Sequence, residues 1–258
     1  MALVFDKMLL FGDSITQMAC LQDVGFAFGA AIQNLYSRKF DVILRGFGGY
    51  NSDHAALMID KILELESAAA SKIRLMVVFF GTNDSVLPSS SQNVPIKQYK
   101  ENLKYIVTAS ERFGCKVIIV GPGPFNYHQW VKWLEKLPDD IPCDRTTLRA
   151  REYCDAAIDV SNELNVPCVP LWYLIMADLD WKEGDPIYGL AESPPSTKLE
   201  AYLSDGLHFS GKGYMVEFIN IVNAIREFYP ELHSDNIDEK LPPWDKLTTP
   251  EVLRGMLD

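Results

Sequence analysis

Five short apolar runs punctuate the chain: Lys7 to Phe11, Asp41 to Phe47, Leu75 to Phe80, Lys116 to Val120 and Val166 to Leu171. Longer segments with helical spacing lie between them, and that alternation predicts βαβ units assembling a parallel sheet. Leu75 through Phe80 are apolar without a break, as a strand covered on both faces should be, which makes this run the candidate central strand. Ala56, Ile59, Ile62 and Leu63 share one helical face, as do Leu103, Ile106, Val107 and Phe113. Met215, Phe218, Ile219, Val222 and Ile225 predict a last core helix, with Ser210 as its N-cap. Right-handed crossovers then give a three-layer α/β/α sandwich.

Two stretches break the pattern. Asn126 to Cys143, with aromatics, charges and a Pro-Asp-Asp turn, and Gly184 to Tyr202, rich in Pro, Gly and Ser, are both expected to be loops at the rim of the sheet. Beyond Tyr229, Pro230, Pro242, Pro243 and Pro250 with Trp244 predict an extended strap over the surface followed by a short helix. Residues 1–229 are therefore read as one domain and 230–258 as a C-terminal extension packed on it.

Composition narrows the class. Of 258 residues 48% are hydrophobic and 23% charged, an ordinary globular balance, and a formal net charge of -11 argues against a nucleic-acid or anionic-membrane surface. Cys20, Cys115, Cys143, Cys154 and Cys168 are scattered, odd in number and without a CxxC pair, so reduced thiols in the cytoplasm are the simpler expectation. The N-terminal MALVFDKMLLFGDS lacks the basic start and long apolar core of a signal peptide, and no run approaches the roughly 20 apolar residues of a membrane span. The oligomeric state is left open, a homodimer included.

Chemistry gathers at the ends of the strands. The first run ends in FGDSIT, which sets Ser14 just past the carboxyl end of a strand, where open α/β sheets place their ligands. Ser14 can be a nucleophile there if a base takes its proton; alternatively Asp13, Ser14 or Thr16 caps the next helix. Among four histidines, His208 in SDGLHFSGKGY has Asp205 three residues upstream, a spacing that lets a carboxylate hold one ring nitrogen and leave the other free to accept. A turn or capping role for that pair is the other reading. His54 is expected on the solvated side of an early helix turn, and His128 and His233 at the surface. The second run enters RGFGGYNSD and the third FFGTND. Glycine lets a backbone N–H face a substrate oxygen and an asparagine amide adds an uncharged donor, although Gly46, Gly48 and Gly49 also suit a tight turn, and Asn83 with Asp84 a helix cap.

FGDSITQ, RGFGGYNSD, FGTND and DGLHFS, in this order, resemble the four sequence blocks of the SGNH (GDSL-type) hydrolases. YNS, GTND, DGLHFSGKGY and a FYPELH-like tail are similar to the isoamyl acetate-hydrolysing esterase group, and the likeness runs from about Met8 to Trp244. The resemblance implies a flavodoxin-like sandwich with a five-stranded parallel sheet in the order 2-1-3-4-5. It implies Ser14 as nucleophile, His208 as general base and Asp205 as its orienting partner. The Ser14 N–H, the Gly49 N–H and the Asn83 side chain would form the oxyanion hole. Asp13 is read as shaping the nucleophile turn. The activity implied is two-step hydrolysis of a small-molecule, acetate-type ester, with neither metal nor organic cofactor. Rival readings are a lysophospholipase or thioesterase with an apolar groove lined by Trp130, Trp133, Trp172 and Tyr188, an acyltransferase using the same triad, and, least favoured, a non-catalytic binding module. GxSxG is absent, which argues against the α/β-hydrolase elbow, and GPGP after the fourth run lacks the lysine of a phosphate loop.

Overall fold

A computed structural model of the chain describes residues 4–67, 70–139, 141–247 and 249–257. Met1 to Leu3 of the N-terminal stretch and Asp140 of the Pro-Asp-Asp turn lie outside the described residues. In chain order the elements are β1 (Asp6–Gly12), α1 (Ser14–Gln17), α2 (Phe28–Leu35), β2 (Phe40–Gly46), α3 (Ser52–Glu66), β3 (Ile73–Phe79), α4 (Ile96–Arg112), β4 (Lys116–Gly121), α5 (Tyr127–Leu134), α6 (Thr147–Leu164), β5 (Cys168–Pro170), α7 (Leu171–Asp178), α8 (Thr197–Glu200), α9 (Gly211–Phe228) and α10 (Pro250–Leu257).

The strands form one five-stranded parallel sheet in the order β2-β1-β3-β4-β5, the doubly wound topology expected. Alternation along the strands separates two apolar cores. Met8, Leu10, Leu75, Val77, Phe79, Ile118 and Val120 face α2, α7 and α9. Leu9, Phe11, Met76, Val78, Phe80, Val117 and Ile119 face α3, α4 and α6. Burying both faces explains why β3 carries no polar position after Arg74.

The helices depart from the sequence expectation in instructive ways. Within 126–143 the chain forms α5, whose Trp130 and Leu134 pack with Phe125 and Leu207 into a small separate cluster. A further helix, α7, follows directly on β5, so the run Val166 to Leu171 is a strand only over Cys168–Pro170. Ser210 caps α9 as expected, its side chain accepting from the N–H groups of Lys212 and Gly213. The buried face of α9 is nevertheless Tyr214, Glu217, Ile221 and Ile225, while Met215 and Ile219 are exposed. Phe113 is likewise exposed beyond the end of α4. Trp172 is not a rim residue: it is fully buried, with its indole N–H donating to the Thr147 carbonyl and hydroxyl at 3.1 Å. His233 is buried, against the surface position expected for it, while His128 is half-buried and shares a 2.6 Å hydrogen bond with the Ser193 carbonyl. Beyond α9 the chain runs through short 3₁₀ turns to α10, and it is tied down by hydrogen bonds from Tyr36 to the Leu232 carbonyl at 2.9 Å and from Lys39 to the Ser234 carbonyl at 2.5 Å. Among the described residues no helix is long and apolar enough to cross a membrane.

Candidate active site

Strand β1 delivers Asp13 and Ser14 to the carboxyl edge of the sheet. Asp13 caps α1 by accepting from the Ile15 N–H at 2.9 Å, so the chain turns sharply and the Ser14 side chain starts a helix turn rather than continuing the strand. Beside it β2 ends at Gly46, where a Cβ would lie 2.0 Å from the Gln17 backbone N, and only glycine lets the end of β2 come this close to α1. Gly49, at φ +79°, turns the chain back toward α3. Among the described residues the N–H groups of Ser14 and Gly49 make no intramolecular hydrogen bond, which leaves both free to donate outward.

The loop before α9 brings the other groups to Ser14. His208 Nε2 lies 2.9 Å from Ser14 Oγ, and His208 Nδ1 lies 2.6 Å from Asp205 Oδ2. The second carboxylate oxygen, Oδ1, accepts from the backbone N–H groups of Leu207 at 2.9 Å and His208 at 2.8 Å. Both orientations of the carboxylate are thereby spent, and the ring is held with Nδ1 protonated and Nε2 accepting from the serine. Burial alone would raise the Asp205 carboxyl; the hydrogen bond and charge of His208, with the two backbone N–H groups, outweigh it and hold Asp205 below the usual carboxylate range.

Asn83 follows β3. Its Nδ2 donates to the Tyr50 carbonyl at 2.8 Å, using one of two amide hydrogens, and its Oδ1 accepts from Arg145 Nη2 at 3.1 Å. Asn83 is thus not a helix cap, whereas Asp84 is one of a kind, since its Oδ1 accepts from the first N–H of α3, that of Ser52, at 3.0 Å. His54 belongs to the same helix start, in a capping box with Asn51, exposed as expected.

Three carboxyls are buried under these loops, Asp13, Asp84 and Glu217. Burial pushes Asp13 up to about 6, against the opposing pull of the Ile15 N–H, His208, Arg145 and the Thr82 hydroxyl. Burial pushes Asp84 up to about 7 against its bonds from Ser52. Glu217 is driven well above the ordinary range by burial and by the neighbouring Asp13. Asp13 shares none of its hydrogen bonds with the imidazole, in keeping with a structural part in the turn.

Sequence reasoning missed Arg145 and Gln92. Both lie in loops, Arg145 between α5 and α6 and Gln92 between β3 and α4. No local spacing marks them, and only the fold brings them to Asn83 and Gly49.

A serine hydroxyl joined through an imidazole to a half-buried carboxylate, at the carboxyl edge of a 2-1-3-4-5 sheet, has the form of a serine hydrolase site. The model of the GDSL-like lipase/acylhydrolase family matches residues 10–216, and the chain belongs to that family. It is a carboxylic ester hydrolase. An isoamyl acetate-hydrolyzing esterase of Saccharomyces cerevisiae is 34% identical over 247 residues, covering 93% of this chain and 94% of the relative. The isoamyl acetate-hydrolyzing esterase 1 homolog of Homo sapiens is 29% identical, over 82% of this chain and 78% of its own. In three dimensions an acetylxylan esterase from Geobacillus stearothermophilus superposes with a TM-score of 0.61 at 17% identity, over 87% of this chain and 96% of the other. That likeness is one of fold.

Proposed function

We propose that the enzyme hydrolyses small acetate-type esters through an acyl-enzyme on Ser14. The observation that carries this reading is the unbroken line from Asp205 Oδ2 through His208 to Ser14 Oγ, at 2.6 and 2.9 Å. Nε2 takes the hydroxyl proton as Oγ attacks the ester carbonyl, and returns it to the leaving alcohol. Asp205 stays ionised, fixes the tautomer and stabilises the imidazolium. Water activated by the same nitrogen then releases the acid. The N–H groups of Ser14 and Gly49 and the second amide hydrogen of Asn83 would receive the oxyanion.

The yeast and human-type relatives, named for isoamyl acetate hydrolysis, support a small acetate ester as substrate. So does the narrow cleft beside the Ser14 turn, lined by Ile15, Thr82, Gly123, Phe125, Leu207 and Phe209, which encloses little space for a long acyl chain. A cytoplasmic setting is part of the proposal, supported by five unpaired cysteines. So is the division into a hydrolase domain over 1–229 and an extension lying on it, which the hydrogen bonds to Leu232 and Ser234 support. The test is hydrolysis of p-nitrophenyl acetate by the pure protein: steady turnover that Ser14→Ala abolishes at unchanged thermal stability is expected, and equal turnover by that variant would refute the reading.

A further inference from the structure

Arg145 is a cation in an unexpected place. Its side chain is only 10% exposed, and the nearest carboxylate oxygen, on Asp144, stands 3.7 Å from Nε. A buried guanidinium normally recovers its desolvation cost from a carboxylate held in a two-pronged pair. Here it is spent on neutral acceptors: Nη1 donates to the Thr82 carbonyl at 2.8 Å, and Nη2 to Asn83 Oδ1 at 3.1 Å and Gln92 Oε1 at 3.3 Å. Burial lowers its pKa, against the nearby Asp144, Asp13, Cys143 and Asp205. Trp130 covers one face, with its ring centroid 5.8 Å away.

The acceptors have one thing in common. Asn83 is one of the three oxyanion donors proposed above, and Thr82 is its chain neighbour. Gln92, once its Oε1 is held, turns its Nε2 to the Gly49 carbonyl at 2.8 Å, and Gly49 supplies another donor. An asparagine amide can flip, and the flipped form would present an oxygen to a developing negative charge. Anchoring Oδ1 on Arg145 and one Nδ2 hydrogen on the Tyr50 carbonyl, 2.8 Å away, forbids the flip and leaves the second hydrogen free. Gly49, at φ +79°, belongs to a residue type with little conformational preference of its own, and among the described residues its one hydrogen bond to a side chain is the one from Gln92.

We propose that Arg145 is a positioning residue, which sets the orientation of the Asn83 amide directly and that of the Gly49 turn through Gln92. The inference rests on the oxyanion hole read above. Arg145 touches neither the serine nor the substrate carbonyl in this account; it acts by pre-organising two donors, and a misplacement of about 1 Å at such a site is enough to cost on the order of 100-fold in rate.

The test is a double-mutant cycle with Asn83→Ala, Arg145→Lys and the two combined, read by kcat and KM on p-nitrophenyl acetate and by melting temperature. Lysine keeps the charge but cannot reach three acceptors with a planar fork. Arg145→Lys is expected to lower kcat about 100-fold with KM little changed, and the double variant is expected to lose clearly less than the product of the single losses. Full kcat in Arg145→Lys, or losses that multiply as independent effects, would overturn the proposal. If Asn83→Ala itself keeps full kcat, the oxyanion reading fails first, and the two failures are told apart. Gln92 is half-buried in a loop, so Gln92→Ala carries the test should the Arg145 variants not fold: kcat is expected to fall at unchanged KM and melting temperature, and an unchanged kcat would overturn the relay to Gly49.

Discussion

Replacing Asn83 separates a catalytic donor from a structural one. Its Nδ2 spends one hydrogen on the Tyr50 carbonyl at 2.8 Å and has one left, while Oδ1 takes a 3.1 Å hydrogen bond from Arg145. Asn83→Ala removes all of these. Loss of one oxyanion donor costs about 100- to 1000-fold in kcat, or roughly 3 to 4 kcal/mol. The two structural bonds contribute about 1 kcal/mol each to stability, so the variant should also melt earlier by an amount equal to about 2 kcal/mol. Asn83→Asp divides the two effects. Its carboxylate still accepts from Arg145, and as a full ion pair, which restores part of the stability lost in the alanine variant. The free donor is nevertheless gone, and a negative group stands where negative charge has to develop, so the rate should be at least as low as that of Asn83→Ala. Steady-state kinetics on p-nitrophenyl acetate with parallel thermal melts decide the matter. An Asn83→Asp enzyme of near-normal kcat would remove Asn83 from the oxyanion hole, whatever its melting temperature.

Asp205→Asn should leave the fold intact and lower kcat on the order of 10⁴-fold, because an amide in place of the carboxylate stabilises the wrong imidazole tautomer and no imidazolium; a loss under ten-fold would contradict the orienting role. Asp84 has a folded-state pKa raised to about 7 from an ordinary 3.8, so the native state keeps a proton that the unfolded chain has released, and this stabilising contribution is complete below about pH 4 and lost as pH rises through 7. Asp84→Asn should flatten that part of the fall in melting temperature between about pH 4 and 7, and an unchanged slope would count against it. Acetate and butyrate p-nitrophenyl esters should show higher kcat/KM than decanoate, given the narrow cleft beside the Ser14 turn; a steady rise with chain length would favour a lysophospholipase or thioesterase activity.

The strands, and the three side chains that the fold brings together at the edge of the sheet, were legible because each carries a local signal. Leu75 to Phe80 announces a strand covered on both faces, and Ser14, His208 and Asp205 stand in short blocks at the ends of such runs. The orientation of α9 was not legible. Its apolar residues cover most of its circumference, so periodicity does not choose between the Met215 and Ile219 face and the one actually buried. That face contains Glu217, a residue that any hydrophobic count places outside. The helices α5 and α7 were hidden by length: eight residues give barely two turns of pattern, and Trp130 and Trp172 read equally well as rim aromatics until their packing is seen. Arg145 and Gln92 lie furthest from sequence reasoning, since their meaning comes from partners 62 and 43 residues away.

Acylation of Ser14 is the step on which the proposed hydrolysis depends. Treatment of the pure enzyme with a fluorophosphonate, followed by peptide mass spectrometry, tests this directly. The result expected is a single adduct on Ser14, with loss of activity in proportion to labelling and no labelling of the Ser14→Ala variant. An adduct on another serine, or full activity after complete labelling of Ser14, would contradict it.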